Sequence, residues 1–218
     1  MQSDLFSCPY LFHLHTHRTD GKLSIHDHFD FAQANDVERL IFLEHIRRTP
    51  SYDVRAFVRR IHEERERRQI DGVVGFETKL LPDGTLDIDP EHAELASVIG
   101  IAEHGFPDER ATLIRAFHRA ITRYSKQFEN KTLVWVHPGL WFRKSGLDVT
   151  TDADFAEMLA RATDCGILIE TNLRYSLLAP ALLHNVPRDR VVVGADAHSE
   201  SDLVRWRETR AVQRVSAT

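Results

Sequence analysis

Short apolar runs rich in β-branched and aromatic residues alternate along this chain with longer stretches whose apolar residues return every third or fourth position. The first pattern belongs to strands covered on both faces, the second to helices with one covered side. Seven segments carry the strand pattern: CPYLFHLH, RLIFLEH, GVVGFETKL, LASVIGIAEH, TLVWVHP, GILIET and RVVVGADAH. Helical stretches lie between them. Ser24 stands as an N-cap before Ile25, Phe29 and Ala32, which share a side. A second helix starts near Asp53 and carries Val54, Phe57, Val58 and Ile61, with Glu63 to Arg68 as its solvated charged side. A third is expected to open after Pro107, as a first-turn proline, and to cover Leu113, Phe117 and Ala120. A fourth follows Thr151 through Phe155 and Leu159, and a fifth opens at Ser199. The interruption LPDGTLDID, Leu81 to Asp89, has Pro-Asp-Gly turn chemistry and reads as a small hairpin appended to the third strand. Alternating βα units imply a parallel sheet with helices outside it, and seven strands can close a barrel or form an open doubly wound sheet.

At 218 residues and 42% hydrophobic content the chain can bury one good core, and no linker-like, repeated or low-complexity segment divides it, so residues 1–218 are expected to form a single domain. A net charge of -5 argues against a general binder of nucleic acid or membrane surfaces, and an acidic substrate would need a local cationic site. Cys8 and Cys165 lie far apart with no CxxC spacing, which suggests neither a disulfide framework nor a thiolate zinc site. The start of the chain lacks a positive segment followed by a long apolar run, and no apolar stretch approaches the roughly 18 residues of a membrane span. The expectation is a soluble, reduced, cytoplasmic protein.

Ionisable residues collect at the carboxyl ends of the predicted strands. His13, His15 and His17 close the first, and His45, His104, His137 and His198 stand at later ends, accompanied by Glu44, Glu77, Glu170 and Asp196. In parallel α/β folds this is the edge where ligands and catalysis gather. One such histidine is ordinarily a satisfied structural group. So many around one cavity are costly to bury, and metal coordination makes them tolerable by neutralising the carboxylates. His26, His28, His62, His118 and His184 fall in helical segments as solvent-facing or packed residues, His92 sits in a loop, and none is assigned a function.

These residues carry a family resemblance. HLHTHRTDG resembles the opening motif of the PHP (polymerase and histidinol phosphatase) family of metal-dependent phosphoesterases, with His13 and His15 as the paired ligands and Asp20-Gly21 as its closing DG; a shifted register would pair His15 with His17. The family's second motif appears as LEH, with His45 as ligand and Glu44 in place of an aspartate. A GxE motif matches Gly75 to Glu77, IAEHGFP supplies His104 beside Glu103, VHP supplies His137, and GADAHS supplies Asp196 and His198. Leu11 stands where the family usually has an acid.

The resemblance implies a distorted (β/α)7 TIM-like barrel with two or three divalent ions, zinc, manganese or iron, at its carboxyl-end mouth. Their ligands would be His13, His15, Asp20, His45, Glu77, His104, His137, Asp196 and His198, with His17, Glu44 and Glu170 as possible additions. His13, His15, Glu77 and Asp196 would form the centre; His104 and His137 with His198, and His45 with Asp20 and Glu77, would complete neighbouring positions. Asp20, Glu77 and Asp196 would be catalytic. The implied chemistry is attack of a metal-bridging hydroxide on a small phosphomonoester such as histidinol phosphate, a nucleotide or a sugar phosphate. Arg18, Arg143 and Arg174 are the favoured contacts to its phosphate, among mouth cations that also include Arg47, Arg48 and Lys144. Trp141 and Phe142 could stack on a base or pack against the mouth. A nuclease within the same chemistry, an amidohydrolase-like hydrolase acting at carbon, and a noncatalytic metal-stabilised binding module are the alternatives; a carboxylated lysine for the second has no convincing candidate.

Overall fold

A strand that is covered on both faces must find neighbours on both edges, and the apolar runs of this chain do so in register. The computed structural model of the protein describes residues 5–107 and 109–216. Its strands are β1 (Tyr10–Leu14), β2 (Arg39–Phe42), β3 (Glu44–Ile46), β4 (Asp71–Val73), β5 (Gly75–Lys79), β6 (Val98–Ala102), β7 (Thr132–Trp135), β8 (Leu168–Asn172) and β9 (Val191–Ala197). All their pairings are parallel, in the order β3-β5-β6-β7-β8-β9-β1-β2-β4. β3 continues β2 across Leu43, and β5 continues β4 across Val74. Arg39 faces Asp71 and Glu44 faces Phe76, so the 32-residue offset is the same on either side of both breaks. The two ends of the order are therefore one ladder. The nine segments make seven barrel strands in a ring, the distorted (β/α)7 TIM-like barrel expected from the sequence.

Two apolar layers result from the period-2 alternation of each strand. Phe12, Ile41, Leu43, Val98, Val134, Val136, Leu168 and Val192 fill the barrel interior. Outside it, Phe29, Phe42, Phe57 and Phe76 form one aromatic cluster, and Phe117, Trp135 and Phe155 another, beneath the helices. Each such side chain contributes on the order of 2–3 kcal/mol by leaving water.

The helices are α1 (Ile25–Ala34), α2 (Val54–Arg68), α3 (Pro90–Glu94), α4 (Arg110–Gln127), α5 (Leu140–Lys144), α6 (Ala153–Asp164), α7 (Pro180–Leu183) and α8 (Glu200–Ser216). Ser24 caps α1 in a reciprocal box with Asp27, Asp53 caps α2 through the Ala56 amide, and Asp152 caps α6 through the Phe155 amide. Each cap is worth about 1 kcal/mol. Two expectations are corrected. Pro107 precedes α4 instead of opening it: its carbonyl accepts from the Glu109 amide at 2.7 Å, and Glu109 is the N-cap. The charged side of α2 is not uniformly solvated, because Glu64 is buried under its own neighbours, with Arg60 at 2.8 Å, Arg67 at 2.5 Å and Arg68 at 3.0 Å. The small hairpin expected after the third barrel strand is present, closed by one antiparallel bridge, Leu80 to Leu86, with Gly84 at φ +81° in the turn. Among the described residues, no helix is long and apolar enough to cross a membrane.

Candidate metal centre

Carboxyl-end residues that point inward along neighbouring barrel strands must meet at the mouth, and here they meet around Glu77. This carboxylate is buried at the middle of β5. Its two oxygens divide the histidines between them. Oε1 lies 3.0 Å from His104 Nε2 and 3.2 Å from His137 Nε2. Oε2 lies 3.0 Å from His13 Nε2, 3.3 Å from His15 Nε2 and 3.7 Å from His45 Nδ1. Asp196 Oδ1 approaches His13 Nε2 at 3.8 Å, His15 Nε2 at 3.6 Å and His198 Nδ1 at 3.2 Å. Asp20, half-exposed at the rim, holds one oxygen 3.3 Å from both His45 Nε2 and His198 Nε2.

The backbone is bent to bring these groups together. Pairing of β1 slips between Phe12 and Leu14 against both β2 and β9, so His13 sits in a bulge with φ at 70°. Asp196, at φ 50°, lies within the slipped stretch of β9, and His137, at φ 33°, follows β7. Left-handed conformations at non-glycine residues cost of order 1–3 kcal/mol each and persist where packing over-determines them. Three of them fall on side chains of one cluster.

Donor atoms converge in four overlapping groups: His13, His15 and Glu77; His13, His137 and Asp196; Glu77, His104 and His137; and His15, Asp20, His45 and His198. Within each group the atoms lie within 4.8 Å of one another. The fit to metal ions is tested by the nitrogens themselves. Both ring nitrogens of His15 and the Nδ1 atoms of His45 and His137 are buried without a hydrogen-bond partner. Imidazole nitrogens with no proton-sharing partner, packed against carboxylate oxygens, suit a cation's coordination sphere and would otherwise be costly to bury. The donor set fits.

All nine residues expected as ligands are thus brought to one place. His198 belongs with Asp20, His45 and His15, not with His104 and His137 as expected, because it leaves β9 beside the rim loop that carries Asp20. His17 is exposed and outside the groups, so the pair that converges is His13 with His15. Glu103 turns away from His104 and accepts from Trp135 Nε1 and, at 2.7 Å, from the Gly139 amide. Glu44 belongs to none of the donor groups, although its Oε1 lies 3.9 Å from His15 Nδ1. It accepts from the amide and hydroxyl of Thr16 and from the hydroxyl of Thr19, and so pins the loop leading to Asp20.

Glu170 is a supporting group. His13 Nδ1 donates to its Oε1 at 2.6 Å, the His137 amide donates to its Oε2 at 2.5 Å, and Asn172 Nδ2 donates to it at 3.0 Å. A proton fixed on His13 Nδ1 leaves Nε2 free to ligate. Asn172 donates equally to Asp196 at 3.0 Å, and His28 Nε2 donates to the His15 carbonyl at 2.9 Å. Space for Glu170 comes from Gly194 on β9: a methyl there would stand 1.7 Å from the Glu170 oxygen. The sequence reading missed Asn172, His28 and Gly194 in these roles. For Asn172 the signal was its position two residues after Glu170, on the same strand face.

Electrostatics without ions show what the cluster lacks. Burial opposes the imidazolium of His13, but Glu170 and Asp196 outweigh it and hold the pKa well above the usual histidine value. Burial alone would raise Glu77 and Asp196, yet the surrounding imidazoles push both well below the carboxylate range. Burial depresses His15 to about 3 and His104 to about 4. For His198, burial is overcome by Asp196 and Asp20, which lift it to about 9. Protons on some histidines balance the carboxylates, the place that cations take on binding.

The cations expected to hold substrate are mostly engaged. Arg143 donates to the Tyr175 carbonyl at 2.6 Å and Arg174 pairs with Asp202 at 3.0 Å; both guanidinium groups lie over Tyr175, whose ring meets His137 edge-on at 6.0 Å. Arg47 donates to the Ile46 carbonyl and Arg48 to Thr85. Arg18 is exposed, with no side-chain partner among the described residues. Trp141 and Phe142 are buried in α5, where Phe142 packs edge-on against Phe155.

No protein-family profile and no curated protein matches the chain. Among solved structures, a crystal structure of an amidohydrolase II superposes with a TM-score of 0.52 at 9% identity, over 92% of this chain and 90% of that one. An HpcH/HpaI aldolase from Desulfitobacterium hafniense DCB-2 gives 0.47 at 8% identity, over 97% and 93%. The phosphotriesterase homology protein from Escherichia coli, complexed with phosphate in its active site, gives 0.42 at 14% identity, over 90% and 84%. At such identity the amidohydrolase likeness is one of fold alone.

Proposed function

We propose that the protein is a metal-dependent phosphoesterase of the PHP type that hydrolyses a small phosphomonoester. The observation that carries this reading is Glu77, a buried carboxylate with two histidines on one oxygen and three on the other, amid imidazole nitrogens that have no other partner. Divalent ions bound there supply an acidified water and positive charge against phosphate oxygens. His13, His15, Glu77 and Asp196 would hold the central position, His104 and His137 with Glu77 a second, and Asp20, His45 and His198 with His15 a third. Glu170 keeps the proton of His13 on Nδ1, and Glu44 holds the rim loop. Asp20 is the most exposed member of the cluster, and with Arg18 two residues before it in the chain it would meet the incoming phosphate. The net charge of -5 favours small monoesters over nucleic-acid strands.

A second reading, hydrolysis at carbon, is favoured by the amidohydrolase II likeness in fold. One panel separates the two. Phosphomonoesters, phosphodiesters, oligonucleotides, lactones and cyclic amides are offered to metal-reconstituted protein, with His13→Ala and Asp196→Ala alongside. Metal-dependent phosphate release from monoesters, lost in both variants, is the expected result. Turnover of carbon-centred substrates alone by fully metal-loaded protein would move the assignment to the second reading.

A further inference from the structure

Lys79 is the last residue of β5, two positions beyond Glu77 and therefore on the same inward strand face. In register it faces Ala102, which belongs to the barrel interior. Its ammonium reaches toward the turn after His104, where a methyl built on Gly105 would stand 3.9 Å from Nζ. The side chain is half-buried and, among the described residues, makes no hydrogen bond or ion pair. Every other half-buried lysine or arginine in the described structure has a partner: Arg39 and Asp71, Arg47 and the Ile46 carbonyl, Arg68 and Glu64, Arg110 and Asp152, Arg174 and Asp202, Arg190 and the Gly166 carbonyl, Arg210 and the Asn35 carbonyl.

An unpaired, partly desolvated ammonium is costly, and one placed beside a cation site is also repelled by whatever that site binds. An anion lying between them removes both penalties. Arg143 and Arg174 at the same mouth are tied to the protein and Arg18 is exposed on the rim loop, whereas Lys79 is half-buried and held in place by strand register with its charge unspent. We infer that Lys79 is the cation that binds a non-bridging phosphate oxygen of the substrate and of the orthophosphate product. This inference rests on the phosphoesterase reading.

The experiment compares orthophosphate binding to metal-loaded wild type, Lys79→Met and Lys79→Arg by calorimetry, with metal content and circular dichroism measured on each sample. The same three proteins are assayed on p-nitrophenyl phosphate for kcat and KM separately. Loss of one charge-assisted contact is expected to weaken orthophosphate binding by about 10- to 100-fold in Lys79→Met, with unchanged metal content, and Lys79→Arg is expected to recover most of it. Unchanged orthophosphate affinity in a metal-loaded Lys79→Met protein overturns the role of Lys79 and leaves the phosphoesterase reading standing. A metal-loaded wild type that neither binds orthophosphate nor releases it from p-nitrophenyl phosphate overturns both.

Discussion

Replacing Gly194 by alanine puts a methyl group where Glu170 now stands. The new Cβ would lie 1.7 Å from the carboxylate oxygen, 2.5 Å from Cδ and 2.9 Å from Cγ, so the carboxylate must retreat by roughly an ångström or more in a close-packed interior. That oxygen is the one His13 Nδ1 reaches at 2.6 Å, and its partner oxygen takes the His137 amide at 2.5 Å. Hydrogen bonds to a buried carboxylate are worth about 1.5–3 kcal/mol each, so disturbing these two is expected to cost about 3–5 kcal/mol. For a chain of this size that is a fall of about 10 °C in Tm. His13 also loses the bond that fixes its tautomer, and metal affinity is expected to drop about 10- to 100-fold. Competition with a chromophoric chelator reads the affinity, and thermal denaturation reads the stability. Glu170→Ala in the Gly194→Ala background removes the clash along with the carboxylate, so the double variant should bind metal no worse than Glu170→Ala alone. Unaltered metal affinity in Gly194→Ala, or additive losses in the double variant, would refute this chain of reasoning.

Other expectations follow from the same geometry. His198 is raised to about 9 in the metal-free protein, so its proton contributes stability in full below the unfolded value of 6.5 and loses it as the pH rises to about 9. His13, His45 and His137 are raised too and act in the same direction. Metal-free protein should therefore lose Tm across that alkaline window while metal-loaded protein does not, and calorimetry in buffers of different ionisation enthalpy should show net proton release on metal binding at pH 7. Protein that binds metal there without releasing protons contradicts the charge balance proposed for the cluster. Glu44→Ala removes the acceptor for Thr16 and Thr19, leaving a buried amide unsatisfied. A stability loss of about 2–3 kcal/mol is expected, together with loss of the ion nearest Asp20 and retention of those around Glu77; loss of all ions in equal measure would show that Glu44 does more than hold the loop.

The seven strands were legible because strands buried on both faces appear as unbroken apolar runs, and most of the candidate ligands were legible because they stand at the ends of those runs. Closure of the ring came only through the family resemblance, the apolar runs alone leaving an open sheet as an alternative, since closure depends on β3 and β5 carrying on the register of β2 and β4 past Leu43 and Val74. Helices α3, α5 and α7 have only four or five residues, too few for a 3.6-residue period to show. The register of the first motif turned on the bulge at His13, a feature of pairing with two other strands. Glu64 looked solvated because its cover comes from Arg60, Arg67 and Arg68 folding over it, which a charge run does not reveal. The supports were the least visible. Glu170, Asn172 and Gly194 sit on β8 and β9, remote in sequence from the His13 that they hold.

The most direct test of a metal centre that hydrolyses phosphomonoesters is phosphate release from p-nitrophenyl phosphate by chelator-stripped protein as zinc, manganese or iron(II) is added in known equivalents. Activity is expected to start from zero and to level off at two to three bound ions per chain for at least one of the metals. Protein that takes up those ions and releases no phosphate, or that releases phosphate equally well without them, would contradict it.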